Sequence, residues 1–161
     1  MSFQDAVRTC LQKKYVDFSG RARRSEFWYW ILFTAIVSTV ANIIDAILGT
    51  RGAFGGRGVV GVIATLALLL PTLAVLARRL HDTGRSTSWV LLYAPIILSQ
   101  FVIAGPVALA AVVGLVTLVA LIVLIVFCVQ DSKPDNEYGP NPKGLGGQNY
   151  QEMPPPAAPQ Y

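Results

Sequence analysis

The side chains best suited to chemistry lie in one run, Arg78-Arg79-Leu80-His81-Asp82-Thr83-Gly84-Arg85-Ser86, and in Arg21, Arg23 and Arg24 upstream. A guanidinium is a planar, permanently charged fork that grips phosphate or carboxylate oxygens in pairs. If Arg21, Arg23, Arg24, Arg78, Arg79 and Arg85 converge, they form a pocket for an anionic lipid headgroup or a phosphate, with Asp82 orienting one guanidinium or the His81 ring. A plainer reading competes. At a helix end, Arg78, Arg79 and His81 place cations at the negative pole, each worth about 0.3–1 kcal/mol. Asp82 then pairs with Arg79 and Arg78 three and four residues back, and Gly84 supplies a left-handed cap.

Catalysis lacks its parts. His81 is the one histidine of the chain, too few for a phosphohydrolase-type metal centre. No nucleophile elbow, catalytic carboxylate pair or phosphate-cradling glycine loop is present, so the sequence predicts no enzyme, no metal and no cofactor.

The elements that must position these residues are membrane spans. Apolar residues make up 53% of the 161 and charged residues 14%, beyond what a water-soluble domain of this size carries. They gather into blocks long enough to cross about 30 Å of hydrocarbon. The first runs from Phe27 to Leu48 and the second from Val59 to Ala77, ending at Arg78 and Arg79. Trp89 to Val129 holds no charge, and as one helix it would be about 60 Å long, so it folds back at Gly105-Pro106. The expected fold is an all-α integral membrane protein of about four transmembrane helices, at 27–48, 59–77, 89–104 and 107–129. The third is short enough to tilt or to re-enter. Pro71 and Pro95 each free a carbonyl four residues earlier and are candidate helix kinks above the arginines.

Eleven of the thirteen lysines and arginines flank one side of these spans, and only Arg51 and Arg57 flank the other. The positive-inside rule places both termini and the 78–88 loop in the cytoplasm. Trp28, Trp30 and Trp89 leave the same face, as rings at a headgroup boundary do. The basic balance therefore has a membrane explanation and needs no nucleic acid. Cys10 and Cys128 lie near that face and should remain reduced thiols. Residues 1–26 form a cytoplasmic arm without a cleavable signal, in which Phe3, Val7, Cys10 and Leu11 recur at helical spacing, as in an amphipathic helix on an anionic leaflet. Residues 130–161 form a cytoplasmic tail, disordered after about 144, whose Pro154-Pro155-Pro156 can meet a partner.

Three stretches on this face carry most of the specificity: Phe18-Ser19-Gly20-Arg21-Ala22-Arg23-Arg24-Ser25-Glu26-Phe27-Trp28, Arg78 to Ser86, and Asn136-Glu137-Tyr138-Gly139-Pro140-Asn141-Pro142. Together they resemble the bacterial membrane family called domain of unknown function 805, over about residues 14–143. The resemblance implies a small multipass protein of the bacterial plasma (inner) membrane, with no activity to carry over. The family's aromatic-rich start to the third span is reduced here to Ser86-Thr87-Ser88-Trp89.

The function expected is a binding or scaffolding component with an arginine-rich cytoplasmic surface for anionic headgroups or a membrane-protein partner. Ala110 and Gly114 offer a small-residue face for a homo-oligomer. A small-solute transporter or channel component is the rival. Asp45 falls near the outer interface and makes a poor midplane ion ligand, while Asn42, Thr65, Ser99, Gln100 and Thr117 are mild polar groups suited to helix contacts.

Overall fold

A computed structural model describes residues 1–54, 57–102 and 106–144, without the side chains of 100–102. The fold-back expected at Gly105 and the tail beyond 144 lie outside the described residues. The chain forms α1 (Phe3–Arg8), a π-wound turn (Thr9–Lys13), α2 (Arg24–Ile47), α3 (Val59–Asp82), a 3₁₀ segment (Thr87–Tyr93), α4 (Ala94–Val102) and α5 (Val107–Val129). Three of these, α2, α3 and α5, are long and apolar enough to cross a membrane, and Thr87–Ser99 forms a shorter apolar helix. The start of α2, the end of α3 and the end of α5 meet at one end of the bundle, here called the near face.

The third segment gains length from its winding. A 3₁₀ helix rises about 2.0 Å per residue against 1.5 Å for an α-helix, so 87–102 spans roughly 27 Å where an α-helix would span roughly 24 Å. Pro95 stands in the first turn of α4, where proline fits without breaking a ladder, and the winding changes from 3₁₀ to α just before it.

Pro71 does lie inside α3. It frees the Ala67 carbonyl, and Tyr15, from the segment before α2, donates its hydroxyl to that oxygen at 2.5 Å. Beside it Thr72 donates to the Leu68 carbonyl at 2.6 Å and accepts the Trp30 indole N–H at 3.0 Å. The break is thus filled by side chains, as a helix in hydrocarbon requires.

The ends of α2 and α3 close in the same way. Gly49 (φ 67°) and Gly84 (φ 70°) take the left-handed conformation after each helix. The following amides return to the helix, Thr50 to the Asp45 carbonyl at 3.0 Å and Arg85 to the Leu80 carbonyl at 2.9 Å, which is the Schellman arrangement. α3 runs on past the apolar span to Asp82, and Arg78 and Arg79 in its last turns find buried partners. Asp45 has a second task. Fully buried, its carboxylate accepts from the Val60 and Gly61 amides at 3.0 and 2.7 Å and from the Thr50 hydroxyl at 2.6 Å. It caps the start of α3 from the end of α2, and a Cβ at Gly58 would overlap that carboxyl.

The apolar stripe of α1 packs in part onto protein, with Phe3, Val7 and Leu11 left half-buried. Ala6 and Cys10 are buried, and Phe3 meets Tyr29 edge to face with centroids 6.0 Å apart. A capping box between Ser2 and Asp5 starts this helix. The core lies at the near face, built from Cys10, Ala22, Phe27, Trp30, Val75, Leu76, Leu80, Leu124 and Cys128. Elsewhere α5 leaves Leu109, Val112, Leu115, Val119, Ile122 and Val126 exposed around its circumference, a surface for lipid.

Candidate functional site

All three motif stretches come together on the near face. The segment before α2 enters extended, with the Ala22 amide donating to the Arg78 carbonyl at 3.0 Å. The stretch after α5 crosses the end of α3, where the Lys133 amide donates to the Asp82 carbonyl at 3.0 Å and the Asn136 side chain to the His81 carbonyl at 2.9 Å. Carbonyls left unpaired at the end of α3 are thereby satisfied.

Three of the six arginines, Arg21, Arg78 and Arg79, come together with their forks directed inward. Arg78 is fully buried and pairs with Glu26 at 2.5 Å, with Cys10 Sγ 3.9 Å from its Nη2. Arg79, also fully buried, pairs with Asp82 and donates to the carbonyls of Cys128 (3.1 Å), Ala22 (3.3 Å) and Gln130. Arg21 pairs with Asp82 at 3.0 Å and donates to the carbonyls of Pro134 and Gly139 at 3.0 Å and of Lys133 at 2.5 Å. Asp82 thus receives two guanidiniums, and the Ser132 hydroxyl at 2.6 Å as well. One carboxylate between three chain segments is a strong local tie, since charged hydrogen bonds in a site shielded from water outweigh neutral ones.

His81 is held on three sides. Its Nδ1 lies 3.1 Å from the Gly20 carbonyl, which can only accept, so the ring carries its proton there. Nε2 lies 2.8 Å from the Thr87 hydroxyl, and the ring stacks on Tyr138 at 3.9 Å between centroids and 3° between planes. Arg85 places its guanidinium 3.8 Å over the Phe127 ring, a cation–π contact. Two buried nitrogens, Arg78 Nε and Arg85 Nη1, have no partner among the described residues.

The remaining two arginines differ. Arg24 pairs with Asp131 at 2.7 Å on the surface. Hydrogen bonds from Lys143, from the Ser132 amide and from Arg24 hold the Asp131 carboxyl well below the usual carboxylate range. Any stability these surface contacts add is present above the ordinary carboxylate pKa and is lost as pH falls below it. Arg23 is exposed. With Met1, Asp5, Arg8, Thr9 and Lys13 it lines an open groove of about 320 Å³.

Sequence reasoning missed Glu26 and Cys10 as the neighbours of Arg78, and Tyr15 as the partner of the Pro71 break. Glu26 carried a signal in its place in the first turn of α2, where an acid suits the helix dipole. Burial raises the Cys10 thiol to about 11, with Glu26 adding to the rise, so it is an inert neighbour and not a nucleophile. Among the described residues no three His, Cys, Asp or Glu side chains gather as metal ligands.

Known proteins are similar to this sequence. A family model described as "Protein of unknown function (DUF805)" matches residues 15–140. The inner membrane protein YhaI of Escherichia coli strain K12 is 37% identical over 131 residues, which cover 81% of this chain and 90% of that protein. The inner membrane protein YhaH of the same strain is 37% identical over 132 residues, covering 81% and 91%. The uncharacterized protein YiiR is 34% identical over 101 residues, 59% of each chain. No solved structure matches.

Proposed function

The chain belongs to this DUF805 family of bacterial inner-membrane proteins, and from that premise we propose that it is a non-catalytic membrane scaffold, with a cytoplasmic near face that binds anionic lipid headgroups. The cytoplasmic placement rests on the eleven lysines and arginines that flank this face.

A single observation carries the reading: three near-face cations are held inside the protein while three others line an open groove. Arg21, Arg78 and Arg79 have their forks taken by Asp82, Glu26 and main-chain carbonyls, and they fasten the arm, α3 and the post-α5 stretch together. Arg8, Lys13 and Arg23 face an open groove at the edge of the same face. The cation that the sequence analysis shares with this groove is Arg23. A basic groove beside the headgroup layer attracts anionic lipid with about 1 kcal/mol per cation. Asp5 also lines the groove, and Ser2 engages it in the cap of α1, which leaves the cations in excess. His81, the residue best suited to acid–base work, supports a structural role, since both ring nitrogens and one ring face are occupied.

Native mass spectrometry of protein released gently from membranes tests this. Wild type is expected to retain discrete anionic lipid, and Arg8→Gln/Lys13→Gln/Arg23→Gln to lose most of it while unfolding at an unchanged temperature. Equal retention by the triple variant would overturn the proposal.

A further inference from the structure

Arg57 stands at the opposite end of the bundle, one residue before the cap of α3, yet its side chain runs inward. Its Nη1 donates to the Thr65 hydroxyl at 2.5 Å, about 10 Å along α3 from the cap. Long cationic side chains at a span's end ordinarily extend outward to the headgroups, because a charge in hydrocarbon is costly. Arg57, half-buried, turns the other way, into a half-open pocket of about 100 Å³ between α2, α3 and the third segment. Hydroxyls line the cavity: Thr34 and Ser38 from α2, Thr65 and Thr72 from α3, and Tyr93 from the 3₁₀ segment.

The polarity of these groups selects the ligand. A guanidinium has five N–H donors and no acceptor, and one donor here reaches Thr65. None of the ion pairs among the described residues includes Arg57. Thr34, Thr65 and Thr72 give their protons to the carbonyls of Ile31, Gly61 and Leu68, whereas Ser38 and Tyr93 have hydroxyls to offer. The site is therefore rich in donors around one uncompensated positive charge, with room for one small oxyanion or a few waters.

We propose that Arg57, with the Ser38 and Tyr93 hydroxyls, forms a second anion site in the far half of the bundle, sized for a single phosphate-like group. That group is either free phosphate or the headgroup phosphate of a lipid in the far leaflet. The site shares no lining residue with the near-face groove, and Thr65, which Arg57 reaches, lies about 25 Å along α3 from Asp82.

Two readouts on purified protein in detergent test it. The unfolding temperature is followed on titration with sodium phosphate and, at equal ionic strength, with sodium chloride; phospholipid retained on the protein is counted by native mass spectrometry. A saturable rise with phosphate alone identifies the free anion, and a discrete phospholipid still retained by Arg8→Gln/Lys13→Gln/Arg23→Gln, which lacks the near-face lipid, identifies the headgroup. Whichever signal wild type gives, Arg57→Gln and the milder Tyr93→Phe should each weaken it at least tenfold, and Arg8→Gln/Lys13→Gln/Arg23→Gln should leave it intact. Neither signal in wild type, an undiminished signal in Tyr93→Phe, or a signal lost only in the near-face variant would overturn the proposal.

Discussion

At the scale of single residues, the near face shows how a buried charge is held. Arg78 and Glu26 form a pair closed off from water, and removing one partner leaves the other uncompensated. Arg78→Met is expected to cost about 3–5 kcal/mol, whereas Arg78→Met/Glu26→Met should cost much less, because desolvation of the pair offsets most of its attraction. Reversible unfolding of Arg78→Met, Glu26→Met and the double variant in mixed micelles measures the coupling, and additive losses would contradict a direct pair. Cys10 reports on the same pocket. With its thiol raised to about 11 from an ordinary 9.0, its thiolate fraction near pH 8 is on the order of a hundredfold below that of a free cysteine. Maleimide labelling should be slow in the folded protein and become fast on unfolding.

At the scale of elements, two devices make the helices end and bend where they do. Tyr15 fills the break that Pro71 opens in α3, so Tyr15→Phe should lower stability by about 1 kcal/mol. In a Pro71→Ala background, where the Ala67 carbonyl can regain its helical donor, the same change should cost little. An equal cost in both backgrounds, measured by the same unfolding assay, would separate Tyr15 from the proline. Much of this scale was legible in the sequence. Gly84 closes α3 as its place after Asp82 suggested, and the bounds 59 and 107–129 follow directly from runs of apolar residues. What escaped depended on partners distant in the chain. The burial of Arg78 and Arg79 escaped because it depends on Glu26 and on carbonyls at and after the end of α5, which no local pattern reveals. The stripe of Phe3, Val7, Cys10 and Leu11 showed that α1 is amphipathic, but not that its apolar side meets α2. The role of Asp45, which reaches from α2 to cap α3, was likewise hidden by a separation of fifteen residues.

At the scale of the whole molecule, the core and the ion pairs are concentrated at the near face, while the far half is held by Asp45, helix packing and the surrounding lipid. The charge asymmetry on which the proposed orientation rests coincides with the network that closes the near face, so under that proposal one set of arginines serves both insertion and folding. Single cysteines test the orientation in intact cells of a Cys10→Ser/Cys128→Ser background. Thr50→Cys should react with a membrane-impermeant maleimide from outside, and Lys13→Cys only after permeabilisation. The reverse pattern would invert the chain and move the lipid groove to the outer leaflet.

The central claim is the division of the near-face arginines into those that hold the fold and those that hold lipid, and Arg79→Gln compared with Arg23→Gln tests it most directly. Unfolding temperature and retained anionic lipid are measured on the same preparations. Arg79→Gln should unfold at a clearly lower temperature while keeping its lipid below that temperature; Arg23→Gln should keep its unfolding temperature while retaining less lipid. Lipid lost only with Arg79, at temperatures where that variant is still folded, would contradict the account and make the buried network itself the binding site.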